Sequence, residues 1–288
     1  MEQPTEDHLA TLATGLTFPE SPRWHEGRLW VSDWGAHRVL AIDLDGRVEL
    51  AAQVESFPMC IDHLPDGRLL VVASAQRVIL RQEANGTLVT HADLGGIADF
   101  PWNDIVVDGR GNTYVNNIGF DFAAGDVKPG TVALVTPDGA ARQVADGLLF
   151  PNGMAVTADN RTLIVAESYG QRLTAFDIGA DGDLANRREW APVEGPPDGI
   201  CLDAEGAVWY ADVPNRRCVR VHEGGEVAQT VNLDRGGFAC ALGGADRQTL
   251  FIATNVWTGS PDMDHETEKP GQGQVRSLRV AVPGAGWP

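Results

Sequence analysis

Four oxygen-bearing side chains, Glu20, Asn103, Asn152 and Asp198, each open a similar short motif. The motifs are ESPRWHEGRLWVSD, NDIVVDGRGNTYVNN, NGMAVTADNRTLIVAES and DGICLDAEGAVWYAD. Two carboxylates and two amides, with no thiolate or imidazole among them, form a hard donor set. Such a set suits Ca²⁺, Mg²⁺ or Mn²⁺, whereas soft sites draw on Cys and His. Two carboxylates neutralise a divalent ion, and amide oxygens complete its shell without adding charge. Asn and Asp also cap turns, so one such residue alone means little. The matched position in successive motifs is what makes them a set.

Something must bring residues so far apart in the chain to one point. Two further segments, MCIDHLPDGRLLVVAS from Met59 and ACALGGADRQTLFIAT from Ala239, extend the series to six, with start-to-start intervals of 39, 44, 49, 46 and 41 residues. That period is the length of a four-stranded propeller blade. Each unit continues in a second alternating run, such as His37-Arg38-Val39-Leu40-Ala41-Ile42 or Gln171-Arg172-Leu173-Thr174-Ala175-Phe176, the period-two pattern of half-buried strands. Turn pairs such as Asp45-Gly46, Asp66-Gly67 and Asp138-Gly139 separate the runs. No comparable stretch has a helical period. The expectation is an all-β, six-bladed β-propeller with a central divalent-metal site, residues 1–288 forming one domain and 1–15 an N-terminal arm or outer strand. The innermost strands of a propeller surround its axis, so Glu20, Met59, Asn103, Asn152, Asp198 and Ala239 form a ring. Phe18-Pro19, Phe57-Pro58, Phe100-Pro101, Phe150-Pro151 and Pro196-Pro197 are a recurrent lead-in that fixes φ just before it. The irregular stretch from Thr258 to Gly273 reads as a loop over one face of the last blade.

The charge balance of 22 basic against 40 acidic residues, net −18, repels phosphate and anionic lipid and concentrates cations. Nucleic acid and membrane are therefore not expected partners, and no run approaches the roughly 18 apolar residues of a membrane span. The acidic start MEQPTEDHLATLATG lacks the basic-then-apolar order of a secretory signal, so the expected location is cytoplasmic. Cys60, Cys201, Cys218 and Cys240 show no CxxC spacing and read as reduced, mostly buried thiols. His25, His37, His63, His91 and His222 share no motif position and read mostly as surface residues, while His265 lies in the final loop within reach of a pocket mouth. Ser21 has no GxSxG context and no evident His partner, which argues against serine hydrolysis.

The stretches ESPRW, FPWNDIVVDGRGNTYV, FPNGMAVTADNRTLIVAES and PDGICLDAEGAVWYAD resemble the senescence marker protein 30/gluconolactonase/luciferin-regenerating-enzyme (SMP-30/gluconolactonase/LRE-like) family of six-bladed propellers. The likeness runs from about Glu20 to the terminal VPGAGWP. It implies one divalent cation in the central channel, commonly Ca²⁺ with Mg²⁺, Mn²⁺ or Zn²⁺ as alternatives, held by Glu20, Asn152 and Asp198. It implies lactone hydrolysis: the cation polarises the carbonyl, and Asp198 either takes the proton of the attacking water or only orients a water that the cation acidifies. The expected substrate contacts are Trp102, Asn103, Asp104 and Asn117, with Asp104 either holding Asn103 or serving a turn, and Asn116-Asn117 either binding substrate or closing a strand. Sugar-lactone members often carry Arg two residues before the Asn of the third motif. Pro101 stands there instead, followed by Trp102, and with Met59, Phe120, Phe122 and Trp257 nearby the lining is less polar than a sugar needs. The expected partner is a small-molecule lactone or ester. A Ca²⁺-dependent hydrolase of phosphotriesters or aryl esters on the same site, and a ligand-binding propeller without catalysis, are the alternatives. The oligomeric state is left open.

Overall fold

A computed structural model describes residues 9–55, 60–122, 125–259 and 269–285. Met59, the Phe57-Pro58 lead-in, His8 and His265 lie outside the described residues. Among the described residues the alternating runs form 24 strands in six four-stranded antiparallel sheets. The chain begins with β1 (Ala10–Leu16). Blade 1 follows as β2 (Pro19–His25), β3 (Arg28–Asp33), β4 (Arg38–Ile42) and β5 (Val48–Gln53). Blade 2 is β6 (Ile61–His63), β7 (Leu69–Ala73), β8 (Val78–Gln82) and β9 (Leu88–Asp93). Blade 3 is β10 (Trp102–Val107), β11 (Thr113–Asn117), β12 (Gly130–Val135) and β13 (Ala141–Leu148). Blade 4 is β14 (Pro151–Val156), β15 (Thr162–Glu167), β16 (Arg172–Ile178) and β17 (Leu184–Pro192). Blade 5 is β18 (Pro197–Leu202), β19 (Val208–Asp212), β20 (Arg217–Val221) and β21 (Val227–Asn232). Blade 6 contains β22 (Gly236–Gly243), β23 (Thr249–Asn255) and β24 (Gly273–Arg279), and β1 is its outermost strand, pairing Ala10 with Ser277 and Leu16 with Gly273.

The first strands of successive blades, β2, β6, β10, β14, β18 and β22, lie side by side in a closed ring. This is the six-bladed propeller that the repeat implied. Among the described residues no helix is long and apolar enough to cross a membrane. The core lies in the seams between blades. Val106, Tyr114 and Leu134 of blade 3, for example, pack on Met154, Leu163 and Val165 of blade 4, each at most 2% exposed. Burying each such side chain contributes about 1.5–3 kcal/mol, so this seam fixes β10 against β14 and with them Asn103 beside Asn152.

Nearly all the inner strands share a second feature that decides where side chains point. Their pairing with the next strand slips between Glu20 and Arg23, Trp102 and Ile105, Pro151 and Met154, Pro197 and Ile200, and Gly237 and Ala239. A bulge inserts a residue, bends the strand and re-aims its side chains. Glu20, Asn103, Asp104, Asn152 and Asp198 all sit at or beside these bulges. Crowding at the axis explains the Gly after Asn152 and after Asp198: a Cβ on Gly153 would lie 2.5 Å from the Asp198 carbonyl oxygen, and one on Gly199 would lie 2.4 Å from Ala239 Cβ. Only Gly lets neighbouring inner strands approach this closely.

Candidate functional site

The bulged ends of the inner strands open into a cavity of about 950 Å³ whose polar lining includes Glu20, Arg23, Asn103, Asp104, Asn152 and Asp198. Glu20 and Asp104 are 7% exposed and Arg23 8%, while Asn103, Asn152 and Asp198 are half-buried. Thus the structure brings Glu20, Asn103, Asn152 and Asp198 to one chamber. Ala239, the axis position of blade 6, also lines it, as do Pro101, Phe120, Phe122 and Trp257. Trp102 borders the chamber but is wholly buried and belongs to the core shared by blades 1 to 3.

A network of bonds between blades holds this floor. The Asn103 side-chain amide donates to Asn152 Oδ1 at 3.4 Å and to the Pro151 carbonyl at 3.5 Å. Asn152 Nδ2 donates to Ser168 Oγ at 3.3 Å, and the Ser168 hydroxyl donates in turn to the Pro197 carbonyl at 2.7 Å. Asn116 bridges two of the bulges, its Nδ2 donating to the Asn152 carbonyl at 2.6 Å and its Oδ1 accepting from the Asp104 N–H at 3.3 Å. Asp104 accepts from the Met154 N–H at 2.9 Å and faces Arg23 at 3.5 Å. It therefore ties blade 3 to blade 4, and no bond from its side chain to Asn103 appears. Ser21 is committed too: its hydroxyl donates to the Ile61 carbonyl at 3.2 Å and accepts from the Ile61 N–H at 3.0 Å. Its φ of +49°, unusual for a residue with a side chain, brings its N–H to 2.6 Å from Glu20 Oε2.

Electrostatically the floor is an acidic cluster with little compensation. Burial pushes the Glu20 carboxyl up to about 8, with Asp104 adding to the rise and the Ser21 N–H and Arg23 opposing it. Burial, then Glu20 and Asp104, hold Asp198 well above the carboxylate range. Asp104 is raised by burial, against Arg23. Arg23 is the cation of this floor among the described lining residues. Its guanidinium donates to the Ile105 and Pro22 carbonyls at 2.7 and 3.0 Å and lies 3.7 Å from Asp62, so it is shared among several acceptors. Asp62 is itself pushed up to about 6 by burial, and it accepts from the Val107 N–H at 2.7 Å.

Asn117 lies elsewhere. It is wholly buried at the end of β11, where its amide donates to the Phe100 carbonyl and to the Pro101 carbonyl at 3.0 Å, and its oxygen accepts from the Gly119 N–H at 2.9 Å. It has counterparts in four other blades. Asp33 accepts from the Thr17 and Phe18 N–H groups, both at 2.8 Å, Glu167 from the Leu149 N–H at 2.7 Å, and Asn255 donates to the Thr17 carbonyl at 3.0 Å. Asp212, the blade 5 member, pairs with Arg217 at 2.8 Å and with Asn215. These residues lie at the ends of the motifs that Glu20, Asn103, Asn152, Asp198 and Ala239 open, so two polar rings exist: one aims into the chamber and the other mostly ties down the lead-in. Reading motif ends as well as motif starts would have found the second ring. Arg23 also escaped the reading, although an Arg inside a buried inner strand is a signal, because a cation there requires acidic partners. The four thiols are free, with Cys201 alone half-buried and the others buried. His63, read as a surface residue, is 5% exposed and stacks on His25 at 3.9 Å between ring centroids.

The fit of a divalent cation rests on the donors. His, Cys, Asp and Glu alone supply no metal-holding group of three among the described residues. The set at the axis instead combines two carboxylates, Glu20 and Asp198, with the Asn152 amide oxygen. Those carboxylates repel one another in a buried place, and a hard cation is the partner that relieves this. The donors fit such an ion.

Comparison with known proteins shows the family. A family described as the SMP-30/Gluconolactonase/LRE-like region matches residues 18–256. Regucalcin of Danio rerio is 27% identical over 249 residues, 83% of each chain. The pentonolactonase XacC of Haloferax volcanii is 24% identical over 96% of this chain and 94% of its own. Among solved structures, a gluconolactonase from Xanthomonas campestris superposes with a TM-score of 0.75 at 25% identity, covering 96% of this chain and 89% of its own.

Proposed function

Because the chain belongs to the SMP-30/gluconolactonase/LRE-like family, we propose that it is a divalent-metal-dependent hydrolase that opens lactones, with Glu20, Asn152 and Asp198 as the cation ligands and Ca²⁺ as the ion. The observation that carries the reading is the convergence of two mutually repelling carboxylates, Glu20 buried and Asp198 half-buried, with an amide oxygen in one chamber. The relatives named as lactonases support the reaction class. Closure of the ring through β1 supports reading residues 1–288 as one domain.

The bound cation supplies Lewis-acid polarisation of the lactone carbonyl. Asp198 takes a proton from the attacking water, a role supported by its place in the chamber beside Glu20 and Asn152. Asn103, held through Asn152 and the Pro151 carbonyl, orients the lactone by its amide. Arg23, Asp104 and Asn116 are positioning residues that fix the bulges.

The test is Asp198→Asn assayed with excess Ca²⁺ on a panel of lactones. Lactone turnover falls at least about a hundredfold, the usual contribution of a general base, while the far-ultraviolet spectrum and melting transition stay those of a folded propeller. Undiminished turnover by the folded variant removes Asp198 from the reaction.

A further inference from the structure

We propose that the lactone this site takes carries an apolar, non-hydroxylated substituent, held between two facing aromatic walls with Phe150 as the residue that sets this specificity; the inference rests on the hydrolase reading above. The first wall comes from blades 3 and 4. Phe150 lies 5.8 Å from Phe120, 5.6 Å from Phe122 and 4.7 Å from Tyr169 between ring centroids. The second wall belongs to blades 1 and 6, across the ring, where Phe238 lies 6.1 Å from Trp257 and Trp34 stacks on Phe18 at 5.3 Å. All but Phe18 of these rings line the chamber, and Phe122 and Tyr169 remain 36% and 47% exposed toward its mouth. Exposed rings in one concavity mark a surface built to be covered by an apolar ligand.

Several polar groups of the floor already have protein partners. Arg23, the one cationic side chain among the described lining residues, donates to two carbonyls and lies 3.7 and 3.5 Å from the Asp62 and Asp104 carboxylates. The Ser21 and Ser168 hydroxyls donate to backbone carbonyls, and Asn103 and Asn152 each donate to a protein oxygen. A ring of free hydroxyls placed against these walls would lose hydrogen bonds to water without replacement.

Phe150 also has φ +55°, a left-handed conformation that is a true outlier for a bulky side chain. Two backbone bonds hold it there, from the Ser168 N–H to the Phe150 carbonyl at 3.0 Å and from the Tyr169 N–H to the Leu149 carbonyl at 3.2 Å. A Gly or Asn would adopt this turn without strain. The aromatic ring is retained against a conformational cost, immediately before the lead-in to Asn152, and its use is in the wall.

The experiment measures kcat/KM of the Ca²⁺-loaded full chain on δ-lactones with side chains from none to heptyl, and on glucono-δ-lactone, each divided by its uncatalysed hydrolysis rate. Efficiency rises about three- to fourfold per methylene until the wall is covered, and the best alkyl lactone exceeds glucono-δ-lactone at least tenfold. Phe150→Asn keeps the left-handed turn while making the wall polar. It lowers the alkyl-to-glucono ratio tenfold or more, and if that variant misfolds, Phe122→Asn at the mouth lowers it in the same direction. A flat or falling alkyl series, or a hundredfold preference for glucono-δ-lactone, overturns the inference and leaves the hydrolase reading standing. If no lactone is opened, the hydrolase reading fails and the inference is decided by tryptophan-fluorescence titration with unreactive alkyl δ-lactams. Affinity that strengthens with chain length sustains it; affinity independent of length, or no binding, overturns it.

Discussion

Glu167→Gln cuts the tie between the end of β15 and the segment that delivers Phe150 and Asn152. The carboxylate is wholly buried and accepts from the Leu149 N–H at 2.7 Å, the Thr174 hydroxyl at 2.5 Å, Arg172 at 3.0 and 2.9 Å and Arg187 at 3.1 Å. Oε1 serves Thr174, Arg187 and one Arg172 nitrogen, while Oε2 serves Leu149 and the other. A Gln has one acceptor oxygen, so whichever way its amide turns, one of these groups faces an NH₂. The two Arg side chains are 31% and 36% exposed, so water relieves much of their loss. The Leu149 N–H loses its acceptor when the NH₂ takes the Oε2 place, at about 1–3 kcal/mol, whereas the buried Thr174 hydroxyl, when it faces the NH₂, must turn from donor to acceptor. With the weakened charge-assisted bonds the total is about 2–4 kcal/mol. An unfolding entropy of about 2.1 cal/mol/K per residue over 288 residues is about 0.6 kcal/mol/K, so Tm falls by about 3–7 °C. Burial raises the Glu167 pKa, but Arg172, the Leu149 N–H and Thr174 outweigh it and bring it below the usual 4.5. A depressed carboxylate pKa stabilises the fold above about pH 4.5, and that contribution is lost as pH falls through the depressed value. The gap between the two proteins therefore holds steady from pH 5.5 to 7.5 and narrows below 4.5. Thermal and urea unfolding across that range measure it. A Tm change under 1 °C at pH 7, or a gap that widens in acid, refutes the assignment.

Asn117→Ala unties Phe100 and Pro101 and lowers stability by about 1–3 kcal/mol, read by urea unfolding; a loss confined to substrate affinity, with stability unchanged, restores Asn117 to the binding surface. Ca²⁺ at about 100 times its Kd adds about 2.7 kcal/mol of stability, or about 4–5 °C by the entropy above. Calorimetry shows that rise in the parent protein and its loss in Glu20→Gln, and no rise with Ca²⁺, Mg²⁺ or Mn²⁺ sinks the cation assignment. Burial, then His25 and Arg23, depress the His63 pKa from 6.5 to about 3. Below pH 6.5 the unfolded chain takes up a proton that folded His63 refuses, so His63 makes stability fall as pH drops. His63→Gln removes up to about 2.7 kcal/mol of that fall between pH 6.5 and 4.5. The difference between the two pH curves isolates His63 from Asp62, whose raised pKa works in the opposite direction, and two parallel curves contradict the assignment.

The repeat was legible because each blade must bury a new set of apolar side chains behind a polar turn, which writes a period into the sequence. The inner ring was legible for a related reason: only the axis position of each motif must present an oxygen, so Glu20, Asn152 and Asp198 stand out against apolar neighbours. Asn117 stayed open between two roles because an amide that binds substrate and an amide that ties down a backbone look alike in one dimension. What separates them is burial and the direction of the strand end. Bulges were invisible for a different reason. The extra residue at Asn103-Asp104 is defined by its partners on β11, and a single strand does not show its register. The strained turn at Phe150 was hidden behind an ordinary Phe-Pro pair.

The pairing of β1 with β24 has a consequence for how the chain is made. The bond from Arg276 to the Ala10 carbonyl joins residues 266 positions apart, and contacts of such separation form slowly because the whole intervening loop must be closed first. During synthesis the segments bearing Asn152 and Asp198 emerge while β24, which anchors the strand just ahead of Glu20, is still untranslated. With the ligands assigned above, a growing chain lacks the closed ring that holds all three together. Capture of the proposed cation would then be a coincidence detector for a finished polypeptide, and the rate of its uptake a clock for the last step of assembly.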